Sequence, residues 1–128
     1  MSPDTTLEPA TARRLRDESL TDSWLSARLG VDKGRLDAMR RNGELIGVRL
    51  DGSTTWRYPA WQFAAGKPRA VVPAIVREAR ACGLDETRLY EVMTMRMGLG
   101  GTRRLADLLV DGEDEAVLAG IRSSSPRQ

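Results

Sequence analysis

The stretch SARLGVDKGRL, residues 26–36, holds the end of one helix, a turn and the start of a second. Upstream, Leu20, Trp24, Leu25 and Leu29 recur at helical spacing, and Thr21 belongs to the residue types that cap helix N-termini. Gly30 supplies the left-handed conformation on which helices end. Asp32 then offers a second cap, and Leu36 with Met39 forms the buried side of a helix from Lys33 to about Asn42, stopped by Gly43. The small Ser26 lets the second helix cross close to the first, and Leu36 anchors it inward. With Leu36 and Met39 facing in, Lys33, Arg35, Asp37, Arg40 and Arg41 face out, and all but Asp37 are cationic.

Beyond Gly43 the period changes. Leu45, Ile46, Val48 and Leu50 lead to Asp51-Gly52, a pair suited to positive φ, and Thr54, Thr55, Trp56, Arg57 and Tyr58 follow, which predicts a β-hairpin. Pro59 ends the second strand, and Ala60-Trp61-Gln62-Phe63 reads as a short helical turn packed back on the hairpin. Trp56, Tyr58, Trp61 and Phe63 are four of the six aromatic residues, so a small core is expected to close around them. Residues 64–69 read as a linker. After it the pattern is helical, with Pro73 to Ala81, Asp85 to Arg96, Thr102 to Val110 and Glu113 to Arg122 as the expected segments. Residues 1–18, with only Leu7 and Leu15 as large apolar side chains, read as a mobile arm with at most a helical turn near Arg13, and residues 123–128 as a frayed tail. The organisation expected is therefore an arm, a unit over 19–63, a linker and a helical region over 70–122.

Composition narrows the chemistry. The chain has 128 residues, 41% hydrophobic and 30% charged, which suits one compact domain or two very small ones. With no histidine and one cysteine, Cys82, it has no His-centred triad, no His/Cys zinc site and no internal disulfide. No pair of groups suited to acid–base work stands together, so an enzyme is not expected, nor is a cofactor or a metal. No apolar run is long enough to span a bilayer, and the start carries no signal-like segment, so a cytoplasmic location without a membrane partner is expected. The net charge is only +2, but between Arg28 and Arg57 seven basic residues stand against four acidic ones. A local basic face is thus expected there.

Residues 26–36 resemble the helix-turn-helix motif of DNA-binding proteins. Followed at once by the hairpin of residues 45–58, they have the order of a winged helix-turn-helix, and the segment GELIGVR, residues 43–49, resembles the wing region of small excisionase-like and MerR-like domains. The resemblance implies a mainly α fold in which a winged helix-turn-helix with a small β-hairpin precedes a C-terminal helical bundle. It implies binding to double-stranded DNA as a homodimeric transcriptional regulator, most simply a repressor. The second helix would enter a major groove, and the wing would approach a neighbouring groove or the backbone. The DNA-facing set is then Thr21, Lys33, Arg35, Asp37, Arg40, Arg41, Arg49, Ser53, Thr54, Thr55 and Arg57. A second resemblance, carried by Leu99-Gly100-Gly101, Ala106-Asp107-Leu108-Leu109, Gly112 and Glu115-Ala116-Val117, is to the helical toxin-binding domain of Xre/MbcA/ParS-type antitoxins. It implies a C-terminal region that serves dimerisation or a toxin-like protein partner through Met93, Met97, Leu99, Leu105, Leu108 and Val117, with DNA binding used for autoregulation.

Other readings of the same residues are weaker. The helix pair 20–42 can be an ordinary helical hairpin with solvated arginines, and Gly34 either a tolerated first-turn residue or a point of close approach to DNA. Trp56 and Trp61 suit base stacking, but their clustering with Tyr58 and Phe63 favours core packing. Gly98 to Gly101 lacks the Lys-Ser/Thr pair and preceding strand of a phosphate loop. Asp111, Glu113, Asp114 and Glu115 lack the calcium-loop glycine, since Ala116 stands in the sixth place, and acids at a helix start complement its dipole. Met93, Met95 and Met97 alternate with polar residues, which exposes some of them if the segment is helical.

Overall fold

A computed structural model describes residues 9–49, 56–95 and 103–124. Three of its helices begin where a side chain accepts one of the orphan N–H groups of a first turn. Thr21 Oγ1 accepts from the Trp24 N–H at 3.1 Å, Asp32 from that of Arg35 at 2.7 Å and Asp85 from that of Arg88 at 2.8 Å. In chain order the elements are α1 (Pro9–Glu18), β1 (Ser19–Thr21), α2 (Asp22–Leu29), α3 (Lys33–Arg41), β2 (Val48–Arg49) and β3 (Trp56–Pro59), then a 3-10 turn (Ala60–Gln62), β4 (Phe63–Ala64) and β5 (Lys67–Pro68), and finally α4 (Val72–Ala81), α5 (Glu86–Thr94), α6 (Leu105–Val110) and α7 (Asp114–Ser123). The fold is mainly helical with two small antiparallel sheets. One sheet has the order β1-β3-β2, with Leu20 opposite Tyr58 and Val48 opposite Arg57; the other pairs β4 with β5.

Several expectations change. The segment read as a mobile arm forms α1 from residue 9 onward, because Leu15 finds a place in the main core and is fully buried. Where a linker is expected over residues 64–69, residues 63–68 form the β4–β5 hairpin, which turns through Ala65 and Gly66, both at positive φ. The turn Asp51-Gly52 lies outside the described residues, as does Thr102. The stripe through Trp24 is also revised. Trp24 is 52% exposed, because it stands about 100° around the axis from Leu25, and an eight-residue helix turns only one side inward.

Two apolar clusters organise the molecule. The smaller holds Leu25, Leu36, Leu45 and Tyr58, with Leu20, Leu29, Met39, Trp56 and Phe63 packed against it. The larger takes Leu15, Ile46, Val48 and Trp61 from the first half and joins them to Ile75, Tyr90, Met93, Leu105, Leu109, Val117 and Ile121, among others, of the C-terminal helices. The four aromatics therefore do not share one core. Trp61 turns away to stack on Tyr90, ring centroids 6.4 Å apart, while Tyr58, Trp56 and Phe63 stay with the helix pair. Leu45 and Ile46, adjacent on the segment that leads into β2, point into opposite clusters.

A buried glutamine holds that dividing segment. Gln62 is fully inaccessible, yet its amide is satisfied: Oε1 accepts from the Ile46 N–H at 2.7 Å, and Nε2 donates to the Ile46 carbonyl at 2.7 Å and to the Pro59 carbonyl at 3.0 Å. The side chain thus substitutes for a neighbouring strand. A second fastening joins the end of α1 to the start of α6. Arg104 donates to both carboxylate oxygens of Glu18, at 2.9 and 3.1 Å, and to Asp107 at 3.1 Å, while the Arg104 N–H donates to Asp107 at 2.9 Å. The hydrogen bonds from the Arg104 side chain hold the Asp107 carboxyl below its ordinary value of 3.8.

Two outcomes follow. Replacing Gln62 with leucine strips both partners from a buried peptide group, so Gln62→Leu is expected to lower unfolding stability by about 3 kcal/mol in urea titrations, although it adds apolar volume. Because Asp107 has a depressed pKa in the fold, its ionised form contributes stability above the ordinary carboxylate range, and this is lost as pH falls through the depressed value. The stability gap between wild type and Arg104→Gln should therefore be constant above about pH 5 and narrow below about pH 4, as read by urea midpoints across that range.

Candidate nucleic-acid interface

The pair α2–α3 is assembled by a short set of local devices. Gly30, at φ 71°, ends α2 by donating its N–H to the Ser26 carbonyl at 2.9 Å. The Ser26 hydroxyl donates to the Val31 carbonyl across the turn, a role that a smaller alanine would leave unfilled. Leu25 and Leu36, each 1% exposed, meet beneath the turn and orient α3. On its outer side Lys33, Arg35 and Arg41 are exposed, and Arg49 is exposed at the end of β2. Thr21 is exposed as well, with its hydroxyl accepting from α2.

Arg40 departs from the expected outward set. Its side chain is 11% exposed, and its guanidinium lies 3.6 Å from the centroid of the Trp56 ring and donates to Asp37 at 2.7 Å. Its stem passes over Gly47 so closely that a Cβ built there would stand 2.7 Å from the Arg40 Cδ. Arg40 is thus a strut between α3 and the β2–β3 pair, held there because its long apolar stem packs well while its head satisfies a carboxylate and an aromatic face. Arg49 approaches the same ring at 5.2 Å. Asp37 accepts from Arg40 and, at 3.2 Å, from Arg41, and the hydrogen bond from Arg40 leads the causes that lower its pKa. Arg57 is likewise occupied: it donates to Ser19 Oγ at 2.8 Å and to the Arg16 carbonyl at 3.2 Å, which secures β1 and α1 to β3.

Beside α3 runs a groove of about 330 Å³ lined by Asp22, Lys33, Gly34, Leu36, Asp37, Trp56 and Tyr58. The structure therefore brings Lys33, Asp37 and Arg41 together, sets Arg35 about 160° around the helix from Lys33, withdraws Arg40 into the fold and engages the half-buried Arg57 in contacts within the chain. Ser53, Thr54 and Thr55 lie outside the described residues. Trp56, on which two arginines converge, is the member of this region that reading by residue type missed. The usable signal was an aromatic on a strand whose partner strand ends in arginine, since stacked and cross-strand pairs of this kind are favourable.

The expected partner surface is corrected. Met93 and Val117 are fully buried and Leu105 is 2% exposed, all within the chain's own main core, so they present nothing to a partner. Each stands on the side of its helix that the other C-terminal helices cover. Leu108 is half-buried against the same core, and Met97 and Leu99 lie outside the described residues. Among the described residues of this half, the exposed large apolar side chains are Met95 and Val110. Among the described residues no group of three or more His, Cys, Asp or Glu side chains is placed to hold a metal ion, and no helix is long and apolar enough to cross a membrane.

These features define a mainly helical protein in which a capped helix pair and a short strand pair present cations beside a groove. No protein-family model matches the chain, and no curated protein matches it. Among solved structures, the NMR structure of Rv2175c is similar, with a TM-score of 0.71 and 19% sequence identity over 95% of this chain and 86% of that one. At that identity the likeness establishes a shared fold.

Removal of the strut should be felt in stability. Arg40→Ala is expected to cost on the order of 1–2 kcal/mol and to change the fluorescence of Trp56, and Gly47→Ala to produce the same spectral change by displacing Arg40. Arg41→Ala, which removes an exposed charge, should leave the unfolding midpoint within experimental error of wild type.

Proposed function

We propose that the protein binds double-stranded DNA through a winged helix-turn-helix formed by α2, α3 and the β2–β3 pair, and that it regulates transcription, most simply as a homodimeric repressor. The observation that supports this best is the exposure of Lys33 and Arg41 on one short helix anchored inward by Leu36, with Arg35 exposed further round that helix and Arg49 exposed on the neighbouring strand. A helix of this width suits a major groove, its first turns meeting base edges and its flanking cations meeting phosphates. The resemblance of residues 26–36 to helix-turn-helix sequences supports the same reading. One such helix makes few contacts, so pairing of two chains on a two-part site is the arrangement that supplies enough of them. Burial of Met93, Leu105 and Val117 removes three of the six residues expected to serve a toxin-like partner.

The reading is tested by selecting duplexes from a random pool and measuring affinity against salt. A shared, two-part sequence should emerge, and the logarithm of the affinity should fall linearly with that of salt concentration as phosphate counterions are released. Arg49→Ala should weaken binding to cognate and scrambled duplexes alike, whereas Lys33→Ala and Arg35→Ala should also relax base preference. Failure of the wild-type protein to enrich any duplex at low salt would overturn the reading.

A further inference from the structure

Gly34 has no function inside the fold. It sits in the first turn of α3 without a positive φ, and a Cβ built there would meet only the Asp32 Oδ1, at 3.4 Å. Glycine is a weaker helix former than alanine, and with room for a Cβ here nothing inside the fold requires it. What the missing side chain does is keep one wall of the groove low. Around the helix, Lys33 and Asp37 are about 40° apart and Gly34 lies beside them, so the three form one contiguous strip. Trp56 stands opposite them as a second wall of the groove.

The chemistry of this strip is specific. Asp37 remains 45% exposed although it is paired, and Arg40 and Arg41 each take one site on a different oxygen. A carboxylate has about four lone-pair sites, so each oxygen keeps one for an outside donor, while the two arginines hold its orientation. Lys33 is exposed one helical turn away and supplies rotatable donors. A G·C pair presents two adjacent acceptors, guanine N7 and O6, followed by the cytosine N4 donor. An A·T pair places its donor between two acceptors and turns the thymine methyl toward the carboxylate.

We propose that Lys33 and Asp37 together read one G·C pair in each half of the DNA site, Lys33 donating to guanine N7 and Asp37 accepting from cytosine N4, with Gly34 allowing the base-pair edge to enter the groove. This rests on the duplex-binding reading above and adds the identity of one base pair to it. Arg40 is a positioning residue for Asp37 in this scheme.

The test has two arms. In the first, duplexes are selected from a random pool with wild type and with Asp37→Asn. Wild type should require G·C at one position per half-site, and the variant should lose about tenfold of that discrimination there and move toward A·T, because an amide matches adenine N6 and N7. In the second, which uses wild type and so does not depend on the folding of Asp37→Asn, guanine at that position is replaced by 7-deazaguanine. Wild-type affinity should fall several-fold, while that of Lys33→Ala, having lost the donor, should not change further. If wild type selects a sequence and Asp37→Asn selects the same bases at every position, or if 7-deazaguanine leaves wild-type affinity intact, the assignment is wrong and duplex binding stands. If wild type selects nothing, the duplex-binding reading falls with it.

Discussion

The peptide group of Ile46 is the point on which the two halves of this molecule turn. The segment before β2 lies between two apolar clusters, and the N–H and C=O groups of its buried Ile46 would be costly if left unpaired. The Gln62 amide meets both at 2.7 Å and adds the Pro59 carbonyl, so the corner after β3 and the segment before β2 are fixed to each other by one side chain. Once Ile46 is held, Leu45 must face the helix pair and Val48 must face the C-terminal helices. The orientation of the α2–α3 unit on the rest of the fold follows from that choice.

The same segment carries the geometry of the candidate interface. Gly47, one residue beyond Ile46, makes room for the Arg40 stem, and the Arg40 head rests on Trp56 and on Asp37. The outer strip of α3 is therefore coupled through one buried arginine to the strand pair beside it. Arg80, from α4, adds a second brace by donating to the Arg41 carbonyl at the end of α3, at 3.1 Å. A short helix with modest intrinsic stability is in this way held at its buried side and at its C-terminal end, while its first turn stays open.

What could be read from residues alone was whatever depends on near neighbours. The caps at Thr21, Asp32 and Asp85, the left-handed end of α2 at Gly30 and the inward side of α3 at Leu36 are all decided within four residues, and each is where spacing put it. The main helical content and the β2–β3 pair followed from the same local rules, whereas β1, β4 and β5 did not. Features decided across the chain were not readable. Leu15 looked like an isolated apolar residue because its companions are supplied by β2, the 3-10 turn and the C-terminal helices. Arg40 looked like one more surface cation because the ring that receives it is sixteen positions away on another element. Gln62 carried no signal, since a buried amide is distinguished only by the peptide it faces.

The clasp of Arg104 on Glu18 joins residues 86 positions apart, and Leu15 shares its core with α6 and α7. During synthesis the N-terminal helix must therefore wait for nearly the whole chain to emerge before its apolar side is covered, and chain closure of that span is slow compared with forming a helical hairpin. The α2–α3 pair, whose stabilising contacts are near in sequence, is in a position to take shape well before the body that carries it.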